Sequence, residues 1–329
     1  MEGKIYSSMS GALDRRRFLW LGALGLAKRP SARSAPLPET GPRNRLLFGG
    51  DVMLARYVGR LAREKRDPGW PLRQLAALFS SADLAFVNLE SPFSDRGKTV
   101  EKGMVFKAEP AMIEALVAAG IDAVSTANNH TRDFGGHGIE FTLEWLARHG
   151  IAAVGTGATP QMAHQGVVLE RHGVRFGFLG YTYDQSNGNH ADRDDRVAMM
   201  NVDEMIEDVR NIRGRSDVAI VSMHGGVEYQ RTPNAEQRRF ARAAVDAGAS
   251  VVVGHHPHVT QPFETYSKGL IFYSLGNLVF DQDQRKDTQL GWIADVQFAG
   301  ERIVGYGVIP VDIVRTAPRV RSMDRALSR

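Results

Sequence analysis

The chain contains no cysteine, which excludes disulfides, thiolate catalysis and cysteine-ligated zinc or iron–sulfur centres. It has no apolar run of the ~20 residues that a membrane-spanning helix requires. It also lacks the Gly-x-Ser-x-Gly motif of serine α/β-hydrolases, and its glycine-rich loop over residues 155–159 lacks the lysine of a phosphate-binding loop. The 329 residues are 43% hydrophobic and 24% charged, which is typical of a globular protein of one large or two small domains.

The body of the chain has no excess of positive charge. The formal net charge is +4, but residues 1–34 hold seven basic and two acidic residues, so the remaining chain sums to −1. A nucleic-acid-binding protein would carry a basic patch on its folded body. We therefore expect no nucleic-acid partner, and we interpret the arginine-rich residues 315–329 as a solvated basic tail.

The N-terminal segment has the order of an export signal. Arg15-Arg16-Arg17-Phe18-Leu19 matches the twin-arginine pattern, an apolar run follows to Ala27, and Ala32 and Ser34 are small residues suited to cleavage after Ser34. We predict a twin-arginine signal peptide over 1–34, a linker over 35–44, a folded domain over 45–314, and a periplasmic or extracellular location. An uncleaved signal that anchors the chain to the membrane is the alternative.

Short apolar runs alternate with helical patterns through the first two-thirds of the domain, and strands dominate the last third. This order predicts an α/β fold. Five predicted strands end in polar groups that could bind a metal, and parallel strands place their carboxyl ends at one edge of a sheet. These groups are Asp51, Glu90, Asn129 with His130, His224, and the pair His256 and His258.

Imidazole, carboxylate and carboxamide groups without sulfur suit Zn, Mn or Fe. Glu90 could bridge two cations, and two ions could activate a water and hold the entering and leaving oxygens of a displacement. His130 could stabilise a developing oxyanion or protonate a leaving group. Taken singly, Asp51 could instead be a helix cap and His224 a core histidine, but three histidines within residues 255–258 have no packing explanation.

Six segments in order resemble the CapA family of poly-γ-glutamate capsule biosynthesis proteins. They are FGGDVML (48–54), NLESP (88–92), NNHTRDFG (128–135), HGGVEY (224–229), GHHPHVTQ (254–261) and YSLGNLVF (273–280). That family is similar to the calcineurin-like metallophosphoesterases, and the resemblance implies their α/β, four-layer αββα sandwich.

The resemblance also implies roles for individual residues. The metal ligands that it implies are Asp51, Glu90, Asn129, His224, His256 and His258. It implies acid or oxyanion chemistry for His130, whose ring Asp133 could orient. We assign substrate contacts to His255, Glu228 and Asn277.

Two departures from the metallophosphatase motifs leave the number of divalent ions open between one and two. The first motif is normally Asp-x-His, and here Met53 takes the place of the histidine. The bridging residue is Glu90 where an aspartate is usual.

The resemblance implies a metal-dependent hydrolase or transferase acting on a phosphoester or a glutamyl-amide polymer through a metal-activated water. Its expected partners are that anionic substrate and the membrane components of a capsule synthase. The first alternative is a non-catalytic component of a capsule assembly or export machine with a structural or vestigial metal site. A periplasmic metal chaperone is a further alternative.

Overall fold

Two β-sheets carry the fold in the computed structural model, which describes residues 43–96, 103–183 and 194–321. All of these residues belong to one compact unit. The predicted signal peptide, most of the predicted linker and residues 322–329 lie outside the described residues. No helix in the described ranges is long and apolar enough to cross a membrane.

The first sheet has eight strands in the order β14-β13-β12-β1-β2-β3-β4, with β11 added alongside β1. Strands β1 to β4 are parallel, and β11 is also parallel to β1, while β12 to β14 are antiparallel. The strands are β1 (Arg43–Val52), β2 (Leu84–Leu89), β3 (Ala123–Ser125), β4 (Ala152–Val154), β11 (Asn277–Val279), β12 (Leu290–Ala299), β13 (Arg302–Val314) and β14 (Ala317–Val320).

The second sheet has six strands in the order β5-β6-β7-β8-β10-β9, and only its two edge strands are antiparallel to their neighbours. Parallel pairing in the centre again directs several carboxyl ends to one edge. The strands are β5 (Val167–Arg171), β6 (Val174–Thr182), β7 (Val218–His224), β8 (Val251–His255), β9 (Thr260–Tyr266) and β10 (Gly269–Leu275).

Buried aromatic residues join the two sheets face to face. Phe86 on β2 stacks on Phe178 of β6 with ring centroids 5.6 Å apart, and Phe176 meets Phe298 of β12 edge-on at 5.5 Å. Separate apolar clusters cover the outer face of each sheet with helices. The predicted four-layer αββα sandwich is therefore confirmed.

The helices that cover the first sheet are α1 (Arg56–Glu64), α2 (Ala76–Phe79), α3 (Ile113–Ala119) and α4 (Gly135–Arg148), and those that cover the second are α5 (Pro160–Gln165), α6 (Val202–Arg213) and α7 (Ala235–Ala247). Helix α7 has the bounds that its sequence predicts. Asn234 and Gln237 form a reciprocal capping box at its start, and Gly248 ends it in the left-handed conformation.

Three boundaries differ from the sequence-based expectation. The sequence over residues 72–80 predicts one helix, but the structure has a 3-10 helix (Trp70–Leu75) followed by the single turn α2. Strand β1 begins at Arg43, inside the predicted linker. Strand β14 pairs with β13, so the sheet continues past residue 314 into the segment predicted as a solvated tail. Ala317 is buried against the sheet, so this part of the segment is not solvated.

Candidate metal centre

The carboxyl ends of strands from both sheets meet at one place. Asp51 lies at the end of β1, Glu90 directly follows β2, and His224 and His255 are the last residues of β7 and β8. The register places Asp51 opposite Asn88 on one side and Asn277 on the other. The predicted convergence of these strand ends is confirmed.

Asp51, Glu90 and His258 form the first part of the site, which we call the carboxylate cluster. One ligand atom from each lies within 4.8 Å of the others, and all three residues are buried. His258 Nδ1 lies 2.9 Å from Asn277 Oδ1, an acceptor, so Nδ1 carries the proton. Its Nε2 lies 3.7 Å from Glu90 Oε1. The imidazole therefore presents Nε2 to Glu90, while its Nδ1 lies 3.4 Å from Asp51 Oδ2.

Asn129, His224 and His256 form the second part, the imidazole–amide cluster. His224 Nε2 donates to Asn129 Oδ1 at 2.8 Å, and the rings of His224 and His256 lie 4.9 Å apart. Tyr183 packs on the other side of His256, with ring centroids 4.7 Å apart. In this cluster the two strongest candidate ligand atoms are hydrogen-bonded to each other.

Asn88 joins the two clusters and is not among the site residues predicted from the sequence. Its Nδ2 donates to Asp51 Oδ1 at 2.9 Å and lies 3.2 Å from His224 Nδ1. Asn128 donates in turn to Asn88 Oδ1 and to the carbonyl of Leu89. Both asparagines belong to the motif segments at 88–92 and 128–135, and only the register between β1 and β2 shows that Asn88 faces Asp51.

The buried charges fit a divalent cation. Burial alone would raise the pKa of Asp51, but His255 and His258 outweigh it and hold that pKa well below its ordinary value. Burial, and then the negative charges of Asp51, Glu228 and Asp133, raise the pKa of Glu90 well above its ordinary value. Glu90 Oε1 has no hydrogen-bond partner among the described residues. Two buried carboxylates, one with an unpartnered oxygen, are costly unless a cation compensates them.

The imidazole–amide cluster has a different electrostatic character. Burial, and next to it the charge of His256, lower the pKa of His224 well below its ordinary value. His224 is therefore held neutral, with Nε2–H donating to Asn129. An ion that used both residues would have to break this hydrogen bond.

His130 and Asp133 form a buried pair beside the clusters. His130 Nδ1 lies 2.7 Å from Asp133 Oδ2, which also accepts the backbone N–H of Phe106 at 2.6 Å. The Phe106 ring stacks on the imidazole with centroids 3.8 Å apart. These contacts fix the ring and leave Nε2 for proton transfer, as expected for an acid oriented by a carboxylate.

The backbone around the ligands is strained. His256 and His258 have φ values of 97° and 57°, a region that residues other than glycine rarely adopt. Such conformations cost about 1–3 kcal/mol each and persist where the surrounding structure enforces them. Gly50, directly before Asp51, has no room for a side chain, because a Cβ there would lie 1.9 Å from Gly276 O.

Met53, which takes the place of a motif histidine, is fully buried in the apolar cluster beneath the first sheet. Its sulfur accepts the backbone N–H of Ala55 at 3.1 Å. The methionine is thus part of the apolar core and does not supply the ligand that the motif histidine would provide.

The three residues assigned to substrate occupy different surroundings. Glu228 is exposed on the loop after β7. His255 and Asn277 are fully buried and contact Asp51 and His258, respectively. These contacts would position the candidate metal ligands Asp51 and His258, whereas the role predicted for both residues is substrate contact.

The two-sheet sandwich, with carboxylates, asparagine and histidines at its strand ends, has a metallophosphatase-like fold. The NAD nucleotidase NadN of Haemophilus influenzae shares the fold, with a TM-score of 0.52 at 10% sequence identity over 86% of this chain and 60% of that one. Within this class, residues 45–282 match the family described as bacterial capsule synthesis protein PGA_cap, and the chain belongs to that family.

Two curated relatives agree with this assignment. The PGA biosynthesis protein CapA of Bacillus subtilis is 30% identical over 276 residues, which cover 82% of this chain and 72% of the relative. The capsule biosynthesis protein CapA of Bacillus anthracis is 32% identical over 252 residues, which cover 73% of this chain and 61% of the relative. The resemblance to the CapA family predicted from the motifs is confirmed.

Proposed function

We propose that the protein acts in the biosynthesis of a poly-γ-glutamate capsule as a metal-dependent hydrolase or transferase of a glutamyl-amide polymer or a phosphoester. The observation that carries this proposal is the carboxylate cluster, whose ligand atoms lie within 4.8 Å of one another at the strand ends of a metallophosphatase-like fold. The names of the Bacillus relatives support the link to capsule synthesis.

The residues present divide the chemistry between them. Asp51, Glu90 and His258 would hold a Mn, Fe or Zn ion, which supplies water activation and charge stabilisation when bound. Asp133 holds the His130 ring through Nδ1, so that Nε2 is left for proton transfer. His130 then donates a proton from Nε2 to the leaving group. Asn277 accepts from Nδ1 of His258 and so orients the ring with Nε2 directed toward ligation.

The test combines elemental analysis with turnover. We expect the purified full chain to contain at least one equivalent of Mn, Fe or Zn and to cleave a phosphoester or a γ-glutamyl polymer. Chelation should abolish turnover, and His130→Ala should lower it by about 10²–10⁴-fold with the metal retained. His137→Ala is the matched control, because His137 pairs with Asp95 in an exposed His–Asp pair. A chain without metal, or turnover unaffected by His130→Ala, would contradict the proposal.

The second candidate is a non-catalytic component of a capsule assembly or export machine. It is favoured by Met53, which leaves the first motif without its histidine, and by the closed His224–Asn129 pair. This candidate predicts bound metal without turnover of any polymer or phosphoester, and capture of the membrane components of the capsule synthase instead.

Export is a further part of the proposal. Residues 15–19 carry the twin-arginine pattern, and a site assembled from both sheets would suit a route that carries folded proteins. Replacing both Arg15 and Arg16 with lysine should retain the full chain in the cytoplasm. Export of this variant at the normal level would contradict the proposal.

A further inference from the structure

A small cavity of about 200 Å³ lies beside the metal centre and is not used by the chemistry above. Its wall consists of Arg56, Met104, Tyr229, Gln282, Gln284, Arg285 and Thr288. The lining thus combines two arginines, two amides and two hydroxyls with one methionine, whose sulfur accepts from Arg56 Nη1 at 3.0 Å, and it includes no acidic residue among the described residues. Its volume is below the ~300–1,000 Å³ of clefts that hold drug-sized ligands. It suits one anionic group.

The cavity borders the centre on two sides. Tyr229 donates its backbone N–H to Pro257 O at 2.8 Å, and its ring lies 6.3 Å from that of His258. Arg56 places its guanidinium carbon 5.5 Å from the centre of the Phe106 ring, which stacks on His130. A group in the cavity would therefore be close to both the metal ligands and the proposed acid.

Other side chains hold both arginines in place. Arg285 lies over the Tyr229 ring at 4.9 Å, and its Nε and Nη2 each donate to Asp287 at 3.1 Å. Arg56 pairs through Nε with Asp281 at 3.3 Å. A guanidinium has five N–H donors, so these contacts orient each group and leave further donors for a ligand.

Gln282 links the cavity to the ligands. Gln282 Oε1 accepts a hydrogen bond from Asn277 Nδ2 at 3.1 Å, and Asn277 Oδ1 in turn accepts one from His258 Nδ1. Gln282 Nε2 lies 3.5 Å from the Tyr229 hydroxyl. The neutral part of the wall is thus fixed in the same network as the metal ligands.

We infer that Arg56 and Arg285 bind one carboxylate of a glutamyl polymer while the neighbouring linkage lies at the metal centre. Planar guanidinium forks match carboxylates, and a polymer with one carboxylate per residue supplies such a group next to every linkage. The inference rests on the proposed function and specifies its substrate as the polymer instead of a phosphoester.

The test measures binding, so that it does not depend on turnover. A fluorescent γ-glutamyl oligomer is titrated with the metal-loaded full chain and followed by anisotropy. Arg56→Gln and Arg285→Gln should each weaken binding by about tenfold, the loss expected for charge-assisted hydrogen bonds at a partly exposed site. Arg285→Lys should fall between Arg285→Gln and the unsubstituted chain. Metal content should stay unchanged, and circular dichroism should show that each variant is folded.

Arg60→Gln is the matched control. Arg60 is also on α1, lies over the Tyr57 ring at 4.6 Å and pairs with Glu64 at 3.9 Å, but it does not line the cavity. Its replacement should leave binding unchanged. Equal losses in all three variants would show only general charge attraction and would overturn the inference.

Two other outcomes would also overturn it. One is oligomer binding that is unchanged in both Arg56→Gln and Arg285→Gln, or absent in the folded, metal-loaded unsubstituted chain. The other is loss of binding for a phosphoester probe but not for the oligomer. Failure of the proposed catalysis gives a different result, because the oligomer would then bind through both arginines without being cleaved.

Discussion

The two clusters of the metal centre use similar residues in opposite states. In the carboxylate cluster, Glu90 Oε1 has no partner among the described residues, and Asn277 leaves His258 Nε2 ready for ligation. In the imidazole–amide cluster, His224 and Asn129 satisfy each other. Unsatisfied buried ligands gain more from a cation than satisfied ones. From this comparison we expect a first ion to enter the carboxylate cluster and a second ion to have to displace an existing hydrogen bond.

The largest expected effect comes from Asp51→Asn. The substitution removes a buried ligand charge, and we expect the affinity for Mn or Zn to fall by more than about a hundredfold. Chelator competition followed by elemental analysis measures this loss. Asp295→Asn is the control, because Asp295 pairs with Arg45 on β1 away from the cluster. Full metal content in Asp51→Asn would place the ion elsewhere.

Asn88→Ala should have the next largest effect. It removes the donor to Asp51 and the contact with His224, and we expect about tenfold weaker metal binding together with a loss of about 1–3 kcal/mol in the free energy of unfolding. Denaturant titration with and without metal separates the two losses. Asn128→Ala removes a contact one step further from the ligands and should weaken binding less; the reverse order would contradict the role assigned to Asn88.

His224→Gln should weaken binding of the first ion only a few-fold, since the carboxylate cluster stays intact. The glutamine amide can still donate to Asn129. Elemental analysis at increasing metal concentration gives the number of ions bound in each variant. A loss as large as that of Asp51→Asn would mean that the two clusters act as one site.

Met53→His should not change the number of bound ions. The side chain is fully buried in apolar surroundings, so an imidazole there should lower the free energy of unfolding by about 1–3 kcal/mol. Met53→Leu is the control and should cost less than about 1.5 kcal/mol. An additional equivalent of bound metal in Met53→His would show that position 53 faces the site.

The sequence predicts those parts of the fold that have strong local signals. Helix α7 can be predicted with its observed bounds, because Asn234 and Gly248 mark its ends. Helix α1 has no such local signal, because it begins at Arg56 with a φ of 50° and its apolar positions are few. Strand β9 resembles a loop in sequence, because it holds Pro262, a residue that strands seldom hold away from an edge.

The site shows the same division. Asp51, Glu90 and His258 were predicted together because strand ends converge in parallel sheets. The roles of Asn88, Asn277 and His255 depend on register and burial, which no local pattern contains. Side chains that support ligands look like ordinary strand residues until the pairing of the strands is known.

The distance along the chain between the ligands has a consequence for biosynthesis. Asp51 meets the backbone N–H of His256 across 205 residues. A ribosome adding ~5–20 residues per second needs roughly 10–40 s to make that stretch. For most of this interval the nascent chain carries Asp51 and Glu90 without His258, so we expect a cation to be captured only after β8 has been made. A chain that stalls before β8 would leave the ribosome without the complete carboxylate cluster.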